Sequence, residues 1–164
     1  MDEVDRIVAA WRHERPDIDV SPMEVLSRVS RLSKQLDKAR KVTFHNHGLE
    51  VWAFDVLSAL RRSGAPYQLS PSRLIGEMMV TSGTMTNRID RLATAGWVSR
   101  HPDPADRRGV LVRLTEAGQA KVDGALAELL VLEAELLAQL SAPQRRKLSE
   151  LLRQLSTGFD GEDE

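Results

Sequence analysis

The sequence predicts a mainly α-helical fold with one small β-hairpin, and three observations point there. Leucine, alanine and valine dominate the apolar residues while aromatics make up only 4%, a balance that favours helices over sheets. Helix-start signals recur, with Ser21, Ser70, Thr81, Thr115 and Ser141 each standing ahead of a run with helical apolar spacing. Late in the chain two alternating runs, "WVSR" and "VLVRL", flank "HPDPADRRG", which reads as two antiparallel strands joined by that loop.

The totals narrow the function classes. A chain of 164 residues is long enough for one domain with a proper core. It has no cysteine, which removes disulfides, thiolate catalysis, cysteine-ligated zinc and thiol redox switching. The formal charge is -1, so any positive surface must come from local placement. No run of about eighteen apolar residues occurs, and the acidic start "MDEVDRIVAAW" lacks a signal-peptide core; a cytoplasmic location is expected.

"SPME" at Ser21 supplies an N-cap serine, a proline at the first helical position and Glu24 at the third, so a complete capping box is expected. Val25, Val29, Leu32, Leu36 and Ala39 then line one face of a long helix, with basic residues over much of the remainder. A second helix spans about Leu49 to Arg62, with Leu49, Ala53, Val56 and Leu60 inward, and "RSGAP" ends it. "SPSR" at Ser70 opens a short helix carrying Leu74, Ile75 and Met78. Thr81 or Ser82 caps the next, where Met85, Ile89 and Leu92 form the buried stripe and Gly96 the stop. Two such helices separated by two or three residues read as a helix-turn-helix, here followed by the hairpin.

Thr115 starts a long helix with Val122, Leu126, Leu129, Leu130, Leu136, Leu137 and Leu140 on its apolar face. Ser141, Pro143 and Gln144 break that run and start another, carrying Leu148, Leu151, Leu152 and Leu155; the tail from 159 to 164 is expected to be disordered. Six helices and one hairpin thus account for most of the chain. The terminal helices have no obvious partner in a compact winged module, so a second subunit and a monomeric helical bundle are both open ways to bury them.

The exposed face after Thr81 offers Ser82, Thr84, Thr86, Asn87, Arg88 and Arg91, hydroxyls near the helix start and longer donors beyond it. That set suits phosphate contacts first and base edges further along, although a merely solvated face can carry the same residues. Arg107 and Arg108, stiffened by Pro102 and Pro104, are placed to lie over a nucleic-acid backbone or in a narrow groove, or else to serve as solubilising charges. One of Asp103 and Asp106 is expected to orient an arginine through a bidentate pair. His45, His47 and Glu50 crowd a helix junction, and His101 begins the loop, but the spacing of "HNHG" does not place two histidines on one helical face. A capping or junction role is expected, with no metal and no cofactor. Trp52 and Asp55 share a side of their helix; with Trp11 and Arg100 they are open to two readings, a ligand pocket or aromatic packing plus a salt bridge between helix and wing. No Gly-rich phosphate loop, nucleophile elbow or cysteine-histidine pair suggests an enzyme.

Residues 69–118, "LSPSRLIGEMMVTSGTMTNRIDRLATAGWVSRHPDPADRRGVLVRLTEAG", resemble the MarR family of winged-helix transcriptional regulators. The hydroxyl-rich recognition helix, the glycine before the first wing strand, the "DPADRR" tip and "LTEAG" stand in that family's order. The resemblance implies a winged helix-turn-helix with a helical dimerisation region. Residues 1–48 would form N-terminal helices for dimerisation and a pocket wall, 49–114 the DNA-binding lobe, and 115–158 the C-terminal dimerisation helices. It also implies a homodimer on pseudo-palindromic promoter DNA, half-sites about 34–36 Å apart, acting as a repressor released by a small anion.

The leader at 11–32, "WRHERPDIDVSPMEVLSRVSRL", resembles the extra N-terminal helix and following segment of the urate-responsive, PecS-like subgroup. That resemblance implies a ligand site of Trp11, Asp55, Arg88 and Arg100. A planar anion would pair with Arg100 and stack near Trp11, perturb Asp55, and move the helix carrying Arg88. Urate, citrate-like and aconitate-like anions all remain open, as does a helical adaptor that binds a partner protein and no DNA.

Overall fold

The computed structural model describes residues 1–158, so the expected disordered tail lies outside the described residues. The described residues form two compact units that divide within one helix, residues 1–122 and those from 123 on. The first unit begins with α1 (Glu3–Glu14), α2 (Pro22–Asn46) and α3 (Val51–Arg62), continues through β1 (Gln68–Leu69), α4 (Pro71–Met78) and α5 (Ser82–Thr94), and closes its sheet with β2 (Val98–Asp103) and β3 (Asp106–Leu114). Helix α6 (Glu116–Leu136) crosses the division, and α7 (Ala142–Ser156) belongs to the second unit.

Helix α1 was legible only through the family likeness. Asp2 caps it by accepting from the Asp5 amide, and the Asp5 carboxylate accepts from the Asp2 amide. Val4 and Val8 pack on Val20 and Met23, and Arg28 of α2 pairs with Asp2 at 2.8 Å. The capping box expected at Ser21 does not form. Ser21 has helical backbone angles and makes no cap bond; its hydroxyl donates to Asp19, and Glu24 pairs with Arg12 of α1. The α2 residues Val25, Leu26, Val29 and Leu32 are left exposed.

The winged lobe has its own core. Leu49, Ala53, Val56 and Leu60 are buried as expected, together with Leu74, Met85, Ile89, Leu92, Val112 and Leu114. Phe44 of α2 stacks on Phe54 of α3 with centroids 3.9 Å apart. Ser70 and Thr81 cap α4 and α5 by accepting from the amides of Arg73 and Thr84.

The sheet is antiparallel in the order β1-β3-β2, so the two-residue β1, absent from the sequence reading, completes a three-stranded wing base. The strands also run further than expected. His101 to Asp103 belong to β2 and Asp106 to Gly109 to β3, leaving Pro104 and Ala105 as the tip. Pro102 is tolerated because β2 is an edge strand, where a missing amide hydrogen costs no ladder bond.

The base of the wing is tied to α6. Thr115 donates its hydroxyl to the Gly96 carbonyl at 2.7 Å and accepts from the Gly118 amide at 3.0 Å. A Cβ at Gly118 would run into the Trp97 carbonyl, so this position in "LTEAG" has room only for hydrogen. In the second unit, α6 ends at Leu136, short of Leu140, and Ser141 donates its amide to Gln144 at the start of α7. None of the α7 residues is buried, and Leu148, Leu151, Leu152 and Leu155 are exposed.

Candidate functional site

Helix α5 sorts its polar residues by direction. With Met85, Ile89 and Leu92 turned into the core, Ser82, Thr84, Thr86, Asn87 and Arg91 are exposed, while Arg88 is half-buried at the flank. Thr84 shares a hydroxyl hydrogen bond with Thr81, and Thr86 donates back to the Ser82 carbonyl. Both hydroxyls are thereby held in place with acceptor capacity left over. The helix N-terminus, with its unpaired amides, lies at the same end.

The wing carries Arg107 and Arg108 exposed near its tip. The aspartates beside them do not orient guanidinium groups as expected. Asp103 accepts from the Ala105 amide at 2.8 Å and Asp106 from the Arg108 amide at 3.0 Å, so each carboxylate fixes turn backbone instead. That leaves both arginine heads without a carboxylate partner among the described residues.

A cavity of about 850 Å³ lies between α2, α3 and the helix-turn-helix, lined among others by Lys41, His45, Trp52, Asp55, Val80 and Arg88. Asp55 sits 3.9 Å from Arg40. Burial pushes its carboxyl above the ordinary range, partly offset by the charges of Arg40, Arg88 and Arg62. The Arg40 Nε is buried without a hydrogen-bond partner. Arg88 lies 5.5 Å from the Trp52 ring. The cavity therefore sets two cationic side chains, Lys41 and Arg88, against two carboxylates, Glu50 and Asp55, around a flat indole wall.

Of the four residues expected around a ligand, the structure brings Asp55 and Arg88 to this cavity and not Trp11 or Arg100. Trp11 stands on α1, 46% exposed. Arg100 of β2 forms an ion pair with Asp90 of α5. A salt bridge between helix and wing thus exists, but its carboxylate is Asp90, not Asp55. His45 lines the cavity, His47 offers its carbonyl to Lys121 at 3.1 Å, and His101 meets the Ser99 hydroxyl at 2.8 Å. Among the described residues no cluster suited to a metal ion occurs, and no helix is long and apolar enough to cross a membrane.

Sequence reading named Glu50, Trp52 and Arg91 separately and missed that they meet. Glu50, at the N-cap of α3, accepts from Arg91 Nη2 at 2.8 Å and also from Trp52 Nε1. Arg91 lies 4.7 Å from the Trp52 ring. These two hydrogen bonds, Arg91 first, hold the Glu50 carboxyl below the ordinary range. Glu50 and Arg91 are 41 positions apart, so no local pattern announces their meeting.

Comparison with known proteins gives a consistent set of likenesses. The family model described as "MarR family" matches residues 47–109. The HTH-type transcriptional regulator PecS of Dickeya dadantii is 41% identical over 150 residues, spanning 92% of this chain and 90% of that protein. A crystal structure of mutant MarR from E. coli complexed with operator DNA aligns with a TM-score of 0.62 at 28% identity, covering 84% of this chain and 99% of that one. A MarR family protein from Bacillus stearothermophilus reaches a TM-score of 0.75 over 87% of this chain and 99% of that one; at 21% identity it speaks to the fold alone.

Proposed function

Because this chain belongs to the MarR family of transcriptional regulators, we propose that it binds pseudo-palindromic operator DNA as a homodimer, represses, and is released by a small anion. The single observation that carries the reading is the exposed polar face of α5 standing beside a wing whose two arginines have no carboxylate partner among the described residues. The likeness to a relative described in complex with operator DNA supports it.

In this reading Ser82, Thr84 and Thr86 meet backbone phosphates at the helix start, and Asn87 and Arg91 reach base edges or phosphates further along. Arg107 and Arg108 follow the neighbouring minor groove. Arg88, on the cavity flank, serves the ligand more than the DNA. Dimerisation rests on the exposed apolar residues of α2 and α7, which a second copy would cover.

The effector site is the cavity beside Asp55 and Arg88. In this reading the ligand is a planar anion such as urate, which would stack on the Trp52 wall. Entry of negative charge would draw Arg88 from Trp52 and set Asp55 against the ligand. Arg100 would join by leaving Asp90, which loosens the tie between wing and α5, and Trp11 would join from the second subunit. The two recognition helices then change their spacing, and DNA must weaken the ligand in return.

Titrating a duplex from the promoter region at several salt concentrations tests the reading. Log affinity should fall with log salt by about 0.9 for each phosphate contact. Arg107→Ala should reduce that slope and weaken all sequences alike, whereas Asn87→Ala should cost roughly 1–3 kcal/mol of discrimination with little change in slope. Binding that ignores salt and both substitutions would favour an adaptor that binds protein instead. For the effector, urate should release the duplex from the unsubstituted protein and not from Arg88→Ala.

A further inference from the structure

Of the two arginines of α5 that flank Trp52, only Arg88 reaches the cavity. Arg88 borders the cavity with Asp55. Arg91 faces a shallow groove of about 450 Å³ that also takes in Trp52, Gly83, Thr84, Asn87 and the flank of Arg88, on the exposed side of the recognition helix. Its guanidinium is nevertheless engaged, by Glu50 Oε1 at 2.8 Å and by the indole at 4.7 Å. The second Glu50 oxygen accepts from the same indole's N–H. Carboxylate, indole and guanidinium close a ring between the start of α3 and α5.

We propose that Glu50 is a positioning residue that occupies Arg91 in the free protein where a DNA phosphate takes over in the complex, so that Glu50 sets an upper limit on DNA affinity. The inference rests on the DNA-binding reading above. A carboxylate and a phosphate offer a guanidinium the same chemistry, charge-assisted hydrogen bonds to oxygen. The side chains of Arg91 and Glu50 are 54% and 57% exposed, and an ion pair in water is weakly held and readily exchanged. Glu50 is not stripped by the exchange, because the Trp52 N–H still serves its other oxygen. Nor is it needed to close its own helix, since it makes no side-chain cap bond there.

The test measures binding to an arbitrary 40-base-pair duplex at about 50 mM salt, where contacts to phosphate dominate. Glu50→Gln should raise affinity roughly two- to fivefold, the range expected for releasing an exposed ion pair. Glu50→Asp keeps the charge but falls short of Arg91, and should raise affinity in the same direction. Arg91→Ala should lower affinity and reduce the salt slope by about 0.9, and adding Glu50→Gln to it should then change little. Unfolding midpoints of all variants should match the parent, since both positions are exposed. An equal gain from Glu50→Gln with and without Arg91 would overturn the proposal in favour of simple repulsion between Glu50 and DNA. So would a loss of affinity in Glu50→Gln, which would make Glu50 a support for Arg91, and so would no change. Failure of the unsubstituted protein to bind any duplex would overturn the DNA-binding reading itself, and this inference with it.

Discussion

The winged lobe and the terminal helices are built from the same kinds of residue and end in opposite states. In the lobe, Leu60, Leu74, Met85 and Leu92 are each at most 1% exposed, closed in by α3, α4, α5 and the sheet. Along α7, Leu148, Leu151, Leu152 and Leu155 recur at the same helical spacing and are exposed, and so are Val25, Leu26, Val29 and Leu32 of α2. Periodicity therefore marks a face to be buried but not the surface that buries it. A lobe that satisfies itself needs no further surface, while helices that do not leave an apolar face for one.

The sharpest contrast is between truncations in the two regions. Met85→Ala should cost about 2–5 kcal/mol in urea denaturation, independent of protein concentration, because it opens a cavity in a closed core. Leu151→Ala should cost little at saturating concentration and lower the unfolding midpoint most in dilute protein, as a weakened subunit interface does. Equal effects from both would erase the comparison. Gly118→Ala comes next, at roughly 1–3 kcal/mol, since its methyl meets the Trp97 carbonyl where the wing base joins α6.

Smaller effects sharpen the same boundary. Thr81→Ala should lose about 1 kcal/mol with its cap bond to Thr84. Ser21→Ala should change stability by less than about 0.5 kcal/mol, because no cap bond exists there to lose. The smallest is a slope. Burial raises the Asp55 carboxyl, so the folded protein keeps that proton to higher pH than the unfolded chain. Its contribution is thus largest below the ordinary carboxyl range and declines as pH rises through the raised value. Asp55→Asn should flatten that decline in a series of thermal melts, whereas Glu50, lowered by Arg91 and Trp52, contributes in the opposite sense and weakens as pH falls.

The helix-turn-helix was legible because its signals are local and uncontested. Ser70-Pro71, Thr81, the Met85–Ile89–Leu92 stripe and Gly96, with its φ of +74°, each act within a few residues. Ser21-Pro22 carries the same dipeptide as Ser70-Pro71 and fails, because Asp19 takes the hydroxyl and Arg12 takes Glu24. Arg12 becomes a competitor only once α1 has folded back, whereas Asp19 stands two residues ahead of Ser21 and acts locally. The wing was underestimated for a similar reason, since proline and aspartate suggested a long loop, while strand pairing with β3 carried β2 through Pro102 to Asp103. Within the candidate site, Asp55 stood out as a charge on an apolar helix and Arg88 as part of the polar face after Thr81; family likeness joined them, and both line one cavity. Glu50 with Arg91, and Asp90 with Arg100, depended on contacts between elements that spacing along the chain does not encode.

Sedimentation of the protein alone and with a promoter duplex tests the account most directly. Two chains per particle in the free state, and the same two carried together onto one duplex at low salt, is the result expected. A species of one chain that sediments unchanged when duplex is added would contradict it.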